Sequence, residues 1–455
     1  MTDTDQRLDF SPANQQEERD KITRPSLSYW EDAWIRLKQN KRAIVSLFLI
    51  VGLLVFTIIG PAVWNADPAS QDLDQISQPP GVDRTATIVA EYEPWVGVAG
   101  ENIDSLQVIG DATTQAVKIA WAPLENSYGY RVYRNLFPVG PEFAFGMPIG
   151  EYFDTSVNSH EDRLDVRSRN YFYSLVALDE NGGLTRNFET IEVNVQRVTT
   201  VSDAIDQGIA STDNPLEIGD SVRLSLHPLG TDYLGRDMLA RLMEGARVSL
   251  FIGIGAPLLF VLFGVVFGSV AGFIGGGVDQ FMMRFADFVV ALPFLLFMIL
   301  FKIAFGIGPG ESGVLPMLVA LVVLMWPATA RLVRGQIVQI REQGYIEASQ
   351  LLGAKTPYLV IRHMLPNTLG VVLVTLTFEI PRVIFVEAFL SFIGMGVAPP
   401  TPSWGSMSNE GIKTMLTTPH ELIFPALFIS ITVLAFNLLG DGLRDALDAR
   451  MRNQE

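Results

Sequence analysis

The sequence predicts a multi-pass α-helical membrane protein of six transmembrane helices, interrupted by one inserted all-β sandwich. Three observations carry this expectation. Uncharged apolar runs close to the length needed to cross a bilayer recur along the 455 residues. The acidity is confined: residues 67–220 hold 25 of the 49 acidic residues but only 9 of the 33 basic ones, so this block alone carries the net charge of −16. Inside the block, hydrophobicity changes from continuous runs to alternation, the period of strands. Acidic charge and apolarity therefore sit in two parts suited to different solvents. The chain has no cysteine, which excludes a disulfide scaffold. Its acidic balance argues against nucleic acid as a partner, because phosphate needs a basic face.

The elements follow in chain order. Residues 1–42 form a cytoplasmic segment ending in Arg36, Lys38, Lys41 and Arg42. Residues 43–64 carry no charge and make the first span. This run lies too far from the start, and is too long, for a cleaved signal peptide, so it reads as a signal anchor. The basic cluster before it puts the N-terminus in the cytoplasm. Residues 65–247 then lie outside, too long for a linker and so expected to hold a fold. Strand-like runs between about 102 and 196, around Trp121, Tyr130–Tyr133, Tyr171–Ala177 and Phe188–Val195, suggest an antiparallel sandwich.

Spans resume over residues 248–440, at 248–278, 288–308, 314–330, 367–398 and 422–440. Backbone groups in lipid must be satisfied internally, so these are helices and the bilayer is their partner. Lys302 interrupts the third span, and Glu379, Arg382 and Glu387 the fifth. Residues 441–455 return to the cytoplasm, where Arg444, Arg450 and Arg452 agree with the positive-inside rule. Arg284, Arg331, Arg334, Arg341, Lys355 and Arg362 also fall inside. Arg236, Arg241 and Arg247 fall outside and dissent.

Between spans four and five, at about 342–366, a short helix from Tyr345 is expected to stop at Gly353. Pro357 then opens a second helix and Pro366 marks re-entry. This helix–turn–helix resembles the EAA loop of ABC importer permeases, carried by Glu347, Ala348, Gly353, Leu365 and Pro366. Ser349 replaces the second alanine of that pattern, and His363 stands where an aliphatic residue is frequent. Further runs narrow the resemblance: 28–42 before span one, His227–Asp237 before span two, Met283–Asp287, Glu387–Gly394 and Pro400–Gly405. Together they are similar to the C-type permease subunit of dipeptide and oligopeptide ABC importers. The 102–196 block resembles a fibronectin type III domain, with Trp121 in its core and Tyr171, or else Tyr173, making a corner hydrogen bond.

The resemblance implies a type I ABC importer permease whose loop docks on a separate ATPase through Tyr345, Glu347, Ala348, Gly353 and Ala354. It implies a second related permease, two ATP-binding subunits carrying ATP and Mg, and an extracytoplasmic peptide-binding protein. No cofactor is expected in this chain, which has no Gly-x-x-x-x-Gly-Lys phosphate loop. No catalytic constellation or metal-ligand spacing is present, so no enzyme activity is expected. Glu379, Arg382 and Glu387 are candidates to line the translocation path, Glu387 within reach of solvent at the outer end. A helix–helix contact is the competing reading. Arg284 and Asp287 are candidates for a gate or a structural pair. Gly264, Gly268, Gly272 and Gly275 recur at helical spacing and suit close packing. A permease for another solute, such as nickel or a glutathione-like peptide, stays open. So do a secondary transporter and a membrane-anchored adhesion or sensor protein.

Overall fold

An asparagine decides where the first long helix begins. The computed structural model describes residues 29–98, 103–125, 127–140, 145–209, 216–305, 313–397 and 400–447. Arg450 and Arg452 lie outside these residues. Helix α1 (Tyr29–Gln39) ends at Asn40, whose side chain accepts from the backbone N–H groups of Arg42 and Ala43 and so caps α2 (Lys41–Ile58). At 18 residues α2 is about 27 Å long, close to the thickness of the hydrocarbon core. A single turn, α3 (Gly60–Val63), ends it.

The β-rich region follows. It contains β1 (Thr85–Val89), β2 (Gln107–Val108), β3 (Val117–Ala120), β4 (Gly129–Asn135), β5 (Pro148–Tyr152), β6 (Ser159–Asp162), β7 (Asn170–Leu178), β8 (Leu184–Asn194) and β9 (Val198–Thr200). Helix α4 (Val201–Asp206) and β10 (Ser221–Arg223) close it. Strands β2-β3-β6 form one antiparallel sheet and β5-β4-β7-β8 a second. Alternation aims Val117, Ile119 and Trp121 of one sheet, and Tyr130, Val132, Tyr173 and Leu175 of the other, into one shared core. Trp121 is wholly enclosed and packs edge-on to Tyr130. The Tyr171 hydroxyl accepts from the Arg167 backbone N–H, four residues upstream, at 3.1 Å. Tyr173 instead donates to Asp162, which Arg134 also contacts.

A third sheet, β10-β1-β9, was not legible in the sequence; it pairs β1 antiparallel to β10 and parallel to β9. It roots the region in the helical body. Thr231 accepts from the Gln78 N–H and donates to the Gln75 carbonyl, while Arg197 reaches Gln78 and the Asp83 carbonyl.

The helical body comprises α5 (Met238–Ile274), α6 (Gly276–Ala291), α7 (Phe294–Ala304), α8 (Val314–Arg341), α9 (Gly344–Leu351), α10 (Thr356–Leu359), α11 (Leu365–Phe392), α12 (Trp404–Lys413) and α13 (His420–Leu447). Among the described residues five helices are long and apolar enough to cross a membrane: α2, α5, α8, the continuous Thr356–Phe392 and α13. The pair α6–α7 makes a sixth only as one span bent by 84°. This corrects two expected boundaries. Helix α5 stops at Ile274 rather than running on to residue 278, because Gly275 takes φ +68°, a left-handed turn open to glycine. The third span is not straight, because Leu292 precedes Pro293 and is pushed to extended backbone at the break.

The central pair is α5 against α8. A Cβ on Gly264 would stand 2.7 Å from the Thr329 side chain, and one on Gly272 2.8 Å from the Arg334 carbonyl. Gly268 lies against the Ala330 carbonyl in the same way. These three glycines are therefore packing residues, while Gly275 ends the helix.

Candidate functional site

Two polar constructions stand at opposite ends of the helical body. The first is the loop between α8 and α11. Helix α9 closes with the Gly353 N–H on the Gln350 carbonyl (2.9 Å) and the Ala354 N–H on the Ser349 carbonyl (3.1 Å). This is the Schellman pattern, and Gly353 holds the required left-handed φ of +86°. Pro357 sits in the first turn of α10 as expected. Pro366 does not interrupt the chain; a π-helical stretch, Val360–Met364, carries α10 directly into α11. That wider turn accommodates a proline that lacks an N–H and crowds the preceding turn.

One side of the loop is fixed and the other is free. Ile346 and Met364 are fully buried in the core that includes Val333 and Ile337 of α8. Asn367 donates to the His363 carbonyl at 2.6 Å and to the Tyr345 hydroxyl at 3.4 Å, and the His363 ring packs edge-on to Tyr358. On the outside Leu351 and Leu352 are 85% and 89% exposed, beside exposed Tyr358 and Ile361. Glu347 and Ala348 are exposed as well, with Glu347 in the first turn of α9, where a carboxylate suits the helix dipole. The chain thus brings Tyr345, Glu347, Ala348, Gly353 and Ala354 together on one short helix and its cap. The two exposed leucines were not singled out from sequence, although they stand inside the motif.

The intramembrane candidates separate. Arg382 and Glu379 pair at 3.3 Å on one face of α11, and Arg382 is largely exposed. Glu387 is fully buried, which corrects the expectation that solvent reaches it. It accepts from Ser249 of α5 (2.9 Å) and from Ser391 (2.8 Å), and Ser249 in turn accepts from the Trp404 N–H of α12. Glu387 therefore ties three helices together. Asp287 pairs with Arg331 of α8 at 2.6 Å and with Arg284 at 3.6 Å; Asp279 pairs with Arg334. The contacts to Arg331 and Arg334 hold α6 against α8, while Arg284 to Asp287 stays within α6.

The second construction was missed. Asp232 is buried with Arg236 (2.7 Å) and Arg241, and Glu410 of α12 meets Arg241 at 2.8 Å and Arg236 at 3.2 Å. Beside this quartet, Asp237 caps α5 through the Ala240 N–H and accepts from Trp64 and His227. His227 Nδ1 lies 2.7 Å from Asp237, and Nε2 lies 3.5 Å from Asp72, an ion contact too long for a hydrogen bond. Gly235, at φ +76°, lets the turn press against the Asp72 backbone. A signal did exist in the sequence. Arg236 and Arg241 broke the positive-inside rule because carboxylates of the protein, not water, neutralise them.

His227 sets a pH dependence. Burial pushes the imidazolium down, but Asp237 and Asp72 outweigh it and hold the pKa up at about 9, against an ordinary 6.5. A raised pKa favours the folded state fully below 6.5 and loses that contribution as pH rises through 9. The shift corresponds to roughly 3 kcal/mol. Thermal unfolding of the chain in nanodiscs is expected to show a fall in stability between neutral pH and the alkaline limit. His227→Gln is expected to be less stable at neutral pH and to flatten that slope; an unchanged slope refutes the linkage.

The chain is similar to known transport proteins over this body. Residues 264–453 match the binding-protein-dependent transport system inner membrane component, and residues 28–80 match the N-terminal transmembrane domain of oligopeptide transport permease C. The oligopeptide transport system permease protein OppC of Bacillus subtilis is 47% identical over 226 residues, covering 50% of this chain and 72% of that protein. The dipeptide permease DppC of the same organism is 47% identical over 227 residues, 50% of this chain and 69% of that one. The glutathione transport system permease protein GsiD of Escherichia coli is 42% identical over 226 residues, 50% and 73%. The matched segments take in the first span, the bent pair, the α8–α11 loop and α13. The chain belongs to the OppC/DppC-type permease family, the membrane components of binding-protein-dependent ABC importers.

Proposed function

We propose that the chain forms half of the translocation path of an ATP-driven importer of di- and oligopeptides, and that residues 342–366 couple it to a separate ATPase. The observation that carries the coupling is the two-sided loop: its inner face is locked into the core of α8, while Leu351, Leu352, Tyr358 and Ile361 stay exposed. Exposed leucines on a rigid element favour a protein partner over water. The peptide substrate is supported by oligopeptide and dipeptide permeases at 47% identity, and glutathione, itself a tripeptide, keeps a related permease within the same chemistry.

In this reading a second related permease completes the path, and an extracytoplasmic binding protein delivers the peptide. ATP and Mg bind two partner subunits. When ATP closes those subunits the loop moves with them, and α8 and α11 tilt because both end in it. ATP drives the change through its different affinity for the two states. Arg382, the more exposed of the α11 pair, lines the path in this scheme, and Glu387 serves as an interhelical tie. Basic residues at the ends of α1, α8 and α13 support cytoplasmic termini. The shared core of two antiparallel sheets, enclosed Trp121 and the Tyr171 corner contact support a fibronectin type III-like sandwich outside. Proteoliposomes holding both permeases and both ATPases are expected to accumulate a labelled tripeptide only with ATP and the binding protein. Accumulation without nucleotide overturns the reading.

A further inference from the structure

Strand β8 separates two ends of the β-rich region. At one end Asn194 pairs with Asn170 and the chain turns into β9 and the root sheet. At the other end Leu184 pairs with Leu178. The strand has eleven residues from end to end, about 35 Å. The far end is therefore a tip, held away from the helical body by a root fixed through Gln75, Gln78, Arg197 and Thr231.

The register gathers three connections at this tip. Gly129 of β4 pairs with Leu178, and neighbouring Tyr130 pairs with Tyr152. The described residues of the connections 122–128, 153–158 and 179–183, all of these except Asn126, are thereby side by side. An open cleft of about 470 Å³ lies against the first two of them, lined by Pro123, Leu124, Ser127, Tyr128, Tyr130 and Thr155. Phe153, two residues before the lining Thr155, is 69% exposed, and its ring packs over Gly182, where a Cβ would stand 3.3 Å from it. Tyr128 is half exposed, with its hydroxyl held on Glu180 at 2.6 Å. Tyr128 and Phe153 stay exposed there and take no part in the core, whereas Leu124 and Tyr130 pack on it and form the floor of the cleft.

The charge around the cleft has one sign. The three connections carry Glu125, Asp154, Asp179 and Glu180 and no Lys, Arg or His. Asp154 and Asp179 are spent on their own turns through the N–H groups of Ser156, Asn181 and Gly183. Glu125 is exposed, and the nearest basic residues in sequence, Arg131 and Lys118, lie on β4 and β3, with Arg131 already paired to Glu151. The tip belongs to the block that carries the acidic excess of the chain, 25 acidic residues against 9 basic ones in residues 67–220, the tip's own four included. Such a field raises the local concentration of cations and repels anions.

We propose that the tip cleft is a receptor site for free cationic peptides bearing an aromatic or aliphatic side chain. The apolar residue enters between Tyr128 and Leu124, under Phe153, and the Lys or Arg residues lie against Glu125 and Glu180. The cleft admits a side chain or two rather than a flat protein face, and its distance from the root removes it from the bilayer. Concentrating peptides over the path rests on the importer reading; the binding does not.

The test uses the full chain in nanodiscs and fluorescence anisotropy of labelled Lys-Phe-Lys-Phe, Ser-Phe-Ser-Phe and Glu-Phe-Glu-Phe. The lysine peptide is expected to bind about tenfold more tightly than the serine one, with a loss at high salt, and the glutamate peptide not at all. Tyr128→Ser with Phe153→Ser is expected to weaken the lysine peptide about tenfold. Glu125→Gln, on an exposed side chain, is expected to narrow the lysine-over-serine preference with folding unchanged. Equal binding of all three peptides, binding to empty nanodiscs, binding only with an added soluble protein, or full affinity in the tip variants overturns the proposal. Import without tip binding also overturns it; tip binding without ATP-driven import leaves it standing and removes the importer reading instead.

Discussion

Replacing Glu410 by alanine is expected to cost about 3–5 kcal/mol of stability, among the largest effects of any single polar substitution in this chain. The carboxylate meets Arg241 at 2.8 Å and Arg236 at 3.2 Å, and both arginines are nearly enclosed. Without it two guanidinium groups share one buried carboxylate, Asp232, and an uncompensated positive charge stays out of water. The loss falls on particular joints, because Glu410 belongs to α12, Arg241 to α5, and Asp232 to the turn that accepts the Ser77 N–H. The root of the β-rich region is expected to loosen with it. Thermal unfolding in nanodiscs measures the cost, and protease cleavage at the root reads the loosening. Glu410→Gln, which keeps the shape and an acceptor, is expected to recover only part of the stability. Glu410→Ala with Arg236→Met removes one charge of each sign and is expected to be less damaging than Glu410→Ala alone. Equal stability of Glu410→Ala and the parent refutes the role.

The same quartet marks where the sequence stopped being legible. Long uncharged runs predicted the spans because lipid imposes a length and a composition on them locally. Alternation in β3, β4, β7 and β8 announced the two antiparallel sheets, again from near neighbours in the chain. The sheet β10-β1-β9 escaped because its strands have three to five residues and pair across more than 100 positions. Arg236 and Arg241 looked like exceptions to a topology rule because their partners, Asp232 and Glu410, are known only once α12 has folded back onto α5. Glu387 was legible as a costly charge in a span but not as a tie, since Ser249 lies 138 residues away. The loop of residues 342–366 was legible almost throughout: Glu347, Gly353 and Pro357 act on their immediate neighbours. Its π-helical stretch was not, because a widened turn before Pro366 and a break before Pro366 have the same sequence.

Replacing Leu351 and Leu352 together by aspartate is expected to abolish ATP-driven uptake while leaving the permease folded. Both side chains are almost wholly exposed, so the free subunit loses little; surface substitutions of this kind are usually within about 0.5 kcal/mol. Burial of one leucine side chain at an interface contributes about 1.5–3 kcal/mol. Losing two, and bringing carboxylates into the same contact, is expected to weaken ATPase docking by about a hundredfold or more, at 1.4 kcal/mol per tenfold. The neighbouring residues predict different signatures. Ile346→Asp strikes the buried face of the same helix and is expected to unfold the loop. Gly353→Ala puts a Cβ on a left-handed residue, with φ +86°, and is expected to cost about 1 kcal/mol and blunt coupling without removing it. Glu347→Ala leaves the leucines in place and removes only a charge from the first turn, so its effect on docking is expected to be smaller. Surface plasmon resonance of the ATPase on nanodisc-held permease separates docking from folding, and ATP-dependent peptide uptake reports coupling. Unchanged docking in the Leu351→Asp, Leu352→Asp variant would show that the exposed face of α9 is not where the ATPase is held, and the coupling role of the loop would fall with it.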